Sequence, residues 1–230
     1  MARLPRLVLP GYAHCVVQRG HGGRPVFADD TDRDAYLEAL RSHAGDLGVQ
    51  VLAWALLDER VMLLARPKDA TGLSALMQAV GRRYVSAYNR RQGLTGSVWD
   101  GRFRCAPVEA GPTLLDLLAW VDGQDANPHH TSAGLRLAGR PDALLTHPPE
   151  FWALGNTPFE REAAYKLRLA NGPTAAQAAH WMRAALGGWA IGAAPLAADA
   201  ADKNGERPMH PRAPGRPRKR LAPNTGMPRA

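Results

Sequence analysis

The chain is poor in cysteine, in aromatic residues and in long apolar runs. Its 230 residues hold two cysteines, Cys15 and Cys105. No Cys-x-x-Cys pair and no Cys/His zinc spacing occurs, which argues against a structural zinc module. One disulfide is open to the pair, but buried thiols on strands are the simpler expectation. No apolar stretch approaches the ~20 residues of a membrane-spanning helix. The opening MARLPRLVLPG is too short and too proline-broken for a signal peptide, so a cytoplasmic, bacterial-type protein is expected, with no membrane partner. Acidic residues are also scarce: 29 Lys+Arg stand against 21 Asp+Glu, for a net charge of +8. Eight basic and two acidic side chains lie beyond residue 200, so +6 of that charge sits in the tail. The balance favours a polyanionic partner without choosing DNA, RNA or anionic membrane.

Aromatic residues make up only 7% of the chain, yet four of them fall between Gly72 and Arg104. In that stretch Tyr84, Tyr88, Trp99 and Phe103 are interleaved with Arg82, Arg83, Arg90, Arg91, Arg102 and Arg104, against one acid, Asp100. Guanidinium forks suit phosphates and flat rings suit unstacked bases. The stretch therefore reads as a grip on nucleic acid, with Arg19 before a glycine turn as a further contact. Helical spacing leaves a core role equally open to Tyr84 and Tyr88.

Periodicity supplies the rest. Tyr12 to Arg19 is rich in β-branched residues and stops at Gly20, which predicts a strand and a turn. Asp29, Asp30 and Thr31 offer N-caps for a helix from about Asp32 to Asp46. Val49–Leu57 and Val61–Ala65 read as a hairpin around Asp58-Glu59, followed by a helix over Leu73–Arg91. Phe103–Val108 is a fourth strand, and Thr113–Asn127 a helix stopped by Pro128. The order β-α-β-β-α-β predicts an α+β, ferredoxin-like antiparallel sheet with helices on one face, plus C-terminal helices. Thr157-Pro158 with Glu160 starts one of these, and Ala175–Leu186 forms another. The expected units are a domain over 1–143, a helical extension over 144–195 and a disordered basic tail over 196–230.

The blocks LPGYAHCVVQRG, AVGRRYVSAYNRRQGLTGSVWDGRFR and NPHHTSAGL resemble the single-tyrosine HUH transposases, specifically those associated with repetitive extragenic palindromes. FWALGNTPFEREAAY and GGWAIG resemble a C-terminal extension found in one bacterial subgroup. The resemblance implies the ferredoxin-like fold and single-strand DNA cleavage and joining at hairpins. In that chemistry a tyrosine attacks a phosphodiester, assisted by a divalent metal, Mg or Mn, held by a His-x-His pair. The resemblance places those histidines at Arg60 and Met62, and the tyrosine at Gly123, four residues before Asn127. Arginine repels a cation, a thioether is a poor magnesium ligand and glycine has no nucleophile. Only Asn127 is left as a remnant ligand. The implied protein binds single-stranded or hairpin DNA without cutting it and without a metal cofactor. Open alternatives are an active transposase with a displaced site and a non-catalytic RNA- or DNA-binding regulator. A homodimer is also left open, since family members often pair.

Other residues offer weaker chemistry. His129-His130 reads as a loop pair, His14 as a packed core histidine, and Asp58-Glu59 as a solvated turn beside Arg60. In the tail, PGRPRKR resembles an AT-hook, with Arg216, Arg218 and Lys219 as minor-groove contacts or as a solubilising run.

Overall fold

The computed structural model describes residues 6–139 and 142–192. Four strands, β1 (Ala13–Arg19), β2 (Val49–Leu57), β3 (Arg60–Pro67) and β4 (Arg104–Val108), form one sheet in the order β2-β3-β1-β4. Every neighbouring pair is antiparallel. With α1 (Asp30–Ala44) between β1 and β2, and α2 (Gly72–Gln92) between β3 and β4, this is the expected ferredoxin-like order.

Local chemistry explains the elements. Asp29 caps α1 by accepting from the Asp32 N–H. Gly93, at φ 64°, ends α2 in the left-handed region that glycine enters without a Cβ clash. α1 and α2 bury Tyr36, Leu40, Leu76, Val80 and Tyr84 against Val16, Trp54 and Leu63 on one sheet face.

The opposite face is covered too, contrary to the one-faced expectation. Cys15, Val17, Met62, Leu64 and Ala106 pack there beneath α3 (Pro112–Asp122), α6 (Pro158–Asn171) and α7 (Ala175–Gly187). The strands were apolar on both faces, the pattern of a sheet sandwiched between helix layers. The C-terminal helices thus share the sheet's core through Tyr165, Trp181 and Ala185. Capping boxes at Thr157/Glu160 and Thr174/Gln177 start α6 and α7. Two short helices, α4 (Ala133–Ala138) and α5 (Pro149–Trp152), had no distinct sequence signal.

Both sheet edges are partly covered. The Leu56 N–H bonds to His130 O at 2.8 Å and the Thr146 N–H to Val51 O at 2.8 Å, along the outer side of β2. Ile191 exchanges backbone bonds with Pro107 and Glu109 beside β4. Such cover removes an edge that could otherwise pair with another chain. Cys15 and Cys105 are buried thiols, not joined in a disulfide, on opposite faces, since Cys15 pairs with Ala106 and Cys105 with Val16. Burial pushes the Cys15 thiol up to about 12. Among the described residues no helix is long and apolar enough to cross a membrane.

Candidate nucleic-acid interface

The aromatic half of the Gly72–Arg104 stretch is core. Tyr84 is 1% exposed, and its hydroxyl donates to Val26 O. Its ring lies 5.3 Å from Tyr36, 5.7 Å from Tyr88 and 6.0 Å from Trp99, centroid to centroid. Trp99 and Phe103 are buried as well. Tyr84 and Trp99 are therefore corrected from base platforms to packing residues. Their faces are filled by one another and by Phe27 and Tyr36, rings supplied by segments distant in sequence.

The arginines divide by partner. Arg91 is committed: its Nη1 and Nη2 bond both Asp29 oxygens at 2.8 and 2.9 Å, and its Nε bonds Asp32 at 2.9 Å. These bonds lift its pKa further above the ordinary range. The acids come from the start of α1, so counting charges within one stretch could not reveal them. Arg83 donates to the Ser42 hydroxyl at 2.8 Å. Arg19, Arg82, Arg90, Arg102 and Arg104 are exposed and carry no acid partner among the described residues.

Four of those five gather at one end of the sheet, where β1 ends, β4 begins and α2 leads into the 93–103 loop. The Arg19 carbonyl accepts from the Asp100 N–H at 2.8 Å, which draws that loop against the strand end. Two further arginines that sequence reasoning missed stand at this end. Arg6 stacks over Phe103, its Cζ 3.7 Å from the ring centroid, while its Nε donates to Phe103 O at 3.1 Å. Burial depresses its pKa, and repulsion from Arg102 and Arg104 adds to the effect. Arg24 lies at a cleft of about 580 Å³ shared with Phe27, Tyr88, Asn89 and Leu94. Leu94 is 53% exposed there. Neither arginine lies within the charge-rich stretch, so only the fold brings them in.

The positions that the resemblance marks for catalysis lie on the α3 side of the sheet. Arg60 and Met62 share that face two residues apart, as strand alternation requires. Met62 is fully buried among apolar neighbours. Arg60 pairs with Glu59 and reaches Gln124 Oε1 at 3.5 Å. Asp58 turns the other way, to Arg33. Helix α3 stops earlier than expected, at Asp122, with Gly123 as its C-cap. Asn127 is therefore a loop residue and shares no helical face with Gly123. The Asp125 carboxylate takes the Asn127 N–H at 2.8 Å and holds the chain in a turn.

The Asn127 amide lies 3.0 Å from His130 Nε2. His130 is set between two carboxylates, with Asp125 at 3.0 Å on Nδ1 and Asp30 at 2.9 Å on Nε2. The two acids sit on opposite ring edges and so do not converge. The His130 contact leads the causes that hold Asp30 below the usual carboxylate range. For Asp125 the Asn127 N–H does so first, then His130. His129 is exposed. Among the described residues no three His, Cys, Asp or Glu side chains form a metal-holding group.

No tyrosine hydroxyl is available beside Arg60. Tyr36, Tyr84, Tyr88 and Tyr165 are buried, and burial raises the phenol pKa of each. Tyr12 precedes β1 at the opposite end of that strand from Arg19. Arg216, Arg218 and Lys219 of the AT-hook-like run lie outside the described residues.

Fold and site together define an α+β, ferredoxin-like domain with an arginine-rich sheet end. The chain matches no family model and no curated protein. Among solved structures it is similar to a REP-associated tyrosine transposase bound to a REP hairpin. That likeness has a TM-score of 0.48 at 13% identity, over 64% of this chain and 93% of that one. It is also similar to a transposase candidate from Deinococcus radiodurans R1, with a TM-score of 0.37 at 19% identity, over 54% of this chain and 99% of that one. Likeness at this distance assigns neither family nor chemistry.

Proposed function

We propose that this chain is a transposase-family protein that holds single-stranded or hairpin DNA and does not cut it. The observation that carries the reading is the gathering of Arg19, Arg90, Arg102 and Arg104, exposed and without acid partners among the described residues, at one sheet end. Exposed guanidinium groups gathered at one end of a sheet attract a polyanion and give a salt-dependent affinity. The family element rests on the quoted sequence blocks. The absence of cutting rests on the residues at the marked positions.

A divalent metal does not fit those residues. Met62 offers a fully buried thioether and Arg60 a cation. Magnesium prefers oxygen ligands, and a neighbouring guanidinium opposes it. Gly123 has no nucleophile, and the buried tyrosines hold their protons. Nucleophile and metal ligands act as a unit in covalent catalysis, so one loss already removes most activity.

The test is to incubate the full chain with a hairpin-bearing single-stranded DNA in Mg or Mn. A retarded complex on a native gel, with no denaturant-resistant adduct, is expected. A covalent protein–DNA adduct would overturn the non-cutting reading. Preference for RNA over single-stranded DNA at equal salt would overturn the choice of DNA.

A further inference from the structure

Arg19, Arg60 and Arg104 form a staggered row across three neighbouring strands. Arg19 on β1 is directly opposite Arg60 on β3. Val17, two residues before Arg19, is opposite both Met62 and Arg104. Side chains two apart on a strand share a face, so all three arginines belong to the α3 side of the sheet. Directly opposed Cβ atoms lie ~5 Å apart and diagonal ones ~7–8 Å apart, which places Arg104 diagonally from Arg19.

Like charges directly opposite in an antiparallel pair repel. Here the repulsion is only partly relieved. Arg60 has Glu59, but Arg19 and Arg104 have no acid partner among the described residues. Arg102 and Arg6 add positive charge next to the row rather than cancelling it. Below the row the same face is closed by Met62, Val17 and Ala106, which are buried. The row is thus a cationic rim on an apolar floor, with Arg60 29% and Arg19 and Arg104 more fully exposed.

We propose that Arg60, Arg19 and Arg104 form a metal-free phosphate clamp, binding the backbone of a single DNA strand across the end of the sheet. The inference rests on the nucleic-acid reading above and locates it at particular residues. An anion between Arg19 and Arg60 removes their repulsion and supplies both forks with acceptors. No divalent ion takes part, because the three guanidinium groups already provide the positive charge.

The experiment measures binding of a labelled single-stranded oligodeoxynucleotide to the full chain by fluorescence anisotropy, in EDTA, over a series of salt concentrations. The Arg19→Ala/Arg104→Ala variant is expected to weaken binding at least tenfold. It should also flatten the log–log salt slope by about 1.4, the value for two lost phosphate contacts on a single strand. Arg60→Gln is expected to weaken binding several-fold, and Lys68→Ala, just past the opposite end of β3 from Arg60, to leave it unchanged. A merely structural role would lower the thermal midpoint of the double variant. The clamp predicts a midpoint equal to or above that of the unchanged chain, because repulsion is relieved. If the unchanged chain binds but the double variant keeps its affinity and slope, the clamp is overturned and the nucleic-acid reading stands. If the unchanged chain binds only when Mg is added, the metal-free clamp is overturned. If it binds no oligonucleotide under any condition, both fall.

Discussion

Asp122 at the end of α3 and Arg136 on α4 form an ion pair with no solvent exposure on either side chain, Nε to Oδ2 at 2.8 Å. The same oxygen accepts from the Tyr165 hydroxyl at 2.6 Å, and Oδ1 accepts from Ser132. Arg136 Nη2 donates to Leu52 O at 2.5 Å, beside the register shift in β2. His147 Nδ1 lies 3.0 Å from Arg136 Nη1. Charges survive burial here because each polar atom of the pair has a partner. The network ties β2, α3, α4 and α6 together behind Gly123.

Breaking this pair should be costly. Asp122→Ala leaves Arg136 buried without its counter-ion, with an expected loss of about 3–5 kcal/mol. Tyr165→Phe removes one hydrogen bond to a charged acceptor and should lose about 1.5–3 kcal/mol. Urea unfolding followed by far-UV circular dichroism measures both. A loss under ~1 kcal/mol for Asp122→Ala would contradict the pairing.

Stability should fall on mild acidification. His14 is buried as the neutral ring, with Nδ1–H donating to Tyr12 O at 2.9 Å and Nε2 accepting from the Leu9 N–H at 3.0 Å. Burial pulls its pKa down to about 4. His147 falls to about 4 as well, through burial first and then Arg136. The unfolded rings titrate near 6.5, so between about pH 6.5 and 4 the unfolded chain binds more protons and stability declines as pH drops. The His14 share is about 3 kcal/mol over that window. Urea midpoints at pH 7, 5.5 and 4.5 should decrease in that order; a flat series would exclude a buried neutral His14.

Arg91 and its neighbours should separate stability from binding. Arg91→Ala breaks the bonds to Asp29 and Asp32, so the thermal midpoint should drop while oligonucleotide affinity hardly changes. Arg90→Ala should do the reverse, lowering affinity several-fold with the midpoint unmoved. Thermal melts and anisotropy titrations on the two variants test this. Equal affinity losses would return Arg91 to the interface.

Restoring one histidine should not restore a metal site. Met62→His places an imidazole among apolar side chains with no partner, at a cost of about 1–3 kcal/mol. The cost should grow below pH 6.5, where the ring must stay neutral. Unfolding curves with and without Mg should coincide, and a midpoint raised by Mg would contradict the packing around Met62.

The sequence by itself determined the elements and their order, because those signals are local. Glycine stops after β1 and α2, acidic and threonine caps, and strand alternation each act within a few residues. The same locality explains the errors. The helix expected to reach Asn127 ends at Asp122, because the Asp125 carboxylate offers the backbone an alternative turn. Only the tertiary structure decided which arginines are free. Arg91 meets Asp29 across 62 positions of sequence, and Tyr165 meets Asp122 across 43. It also decided that Tyr84 and Trp99 face each other rather than solvent, and that Arg19 stands opposite Arg60. Those outcomes depend on strand register and on which helix covers which sheet face. Register and cover are set by summed burial over the whole core, and no single stretch encodes them.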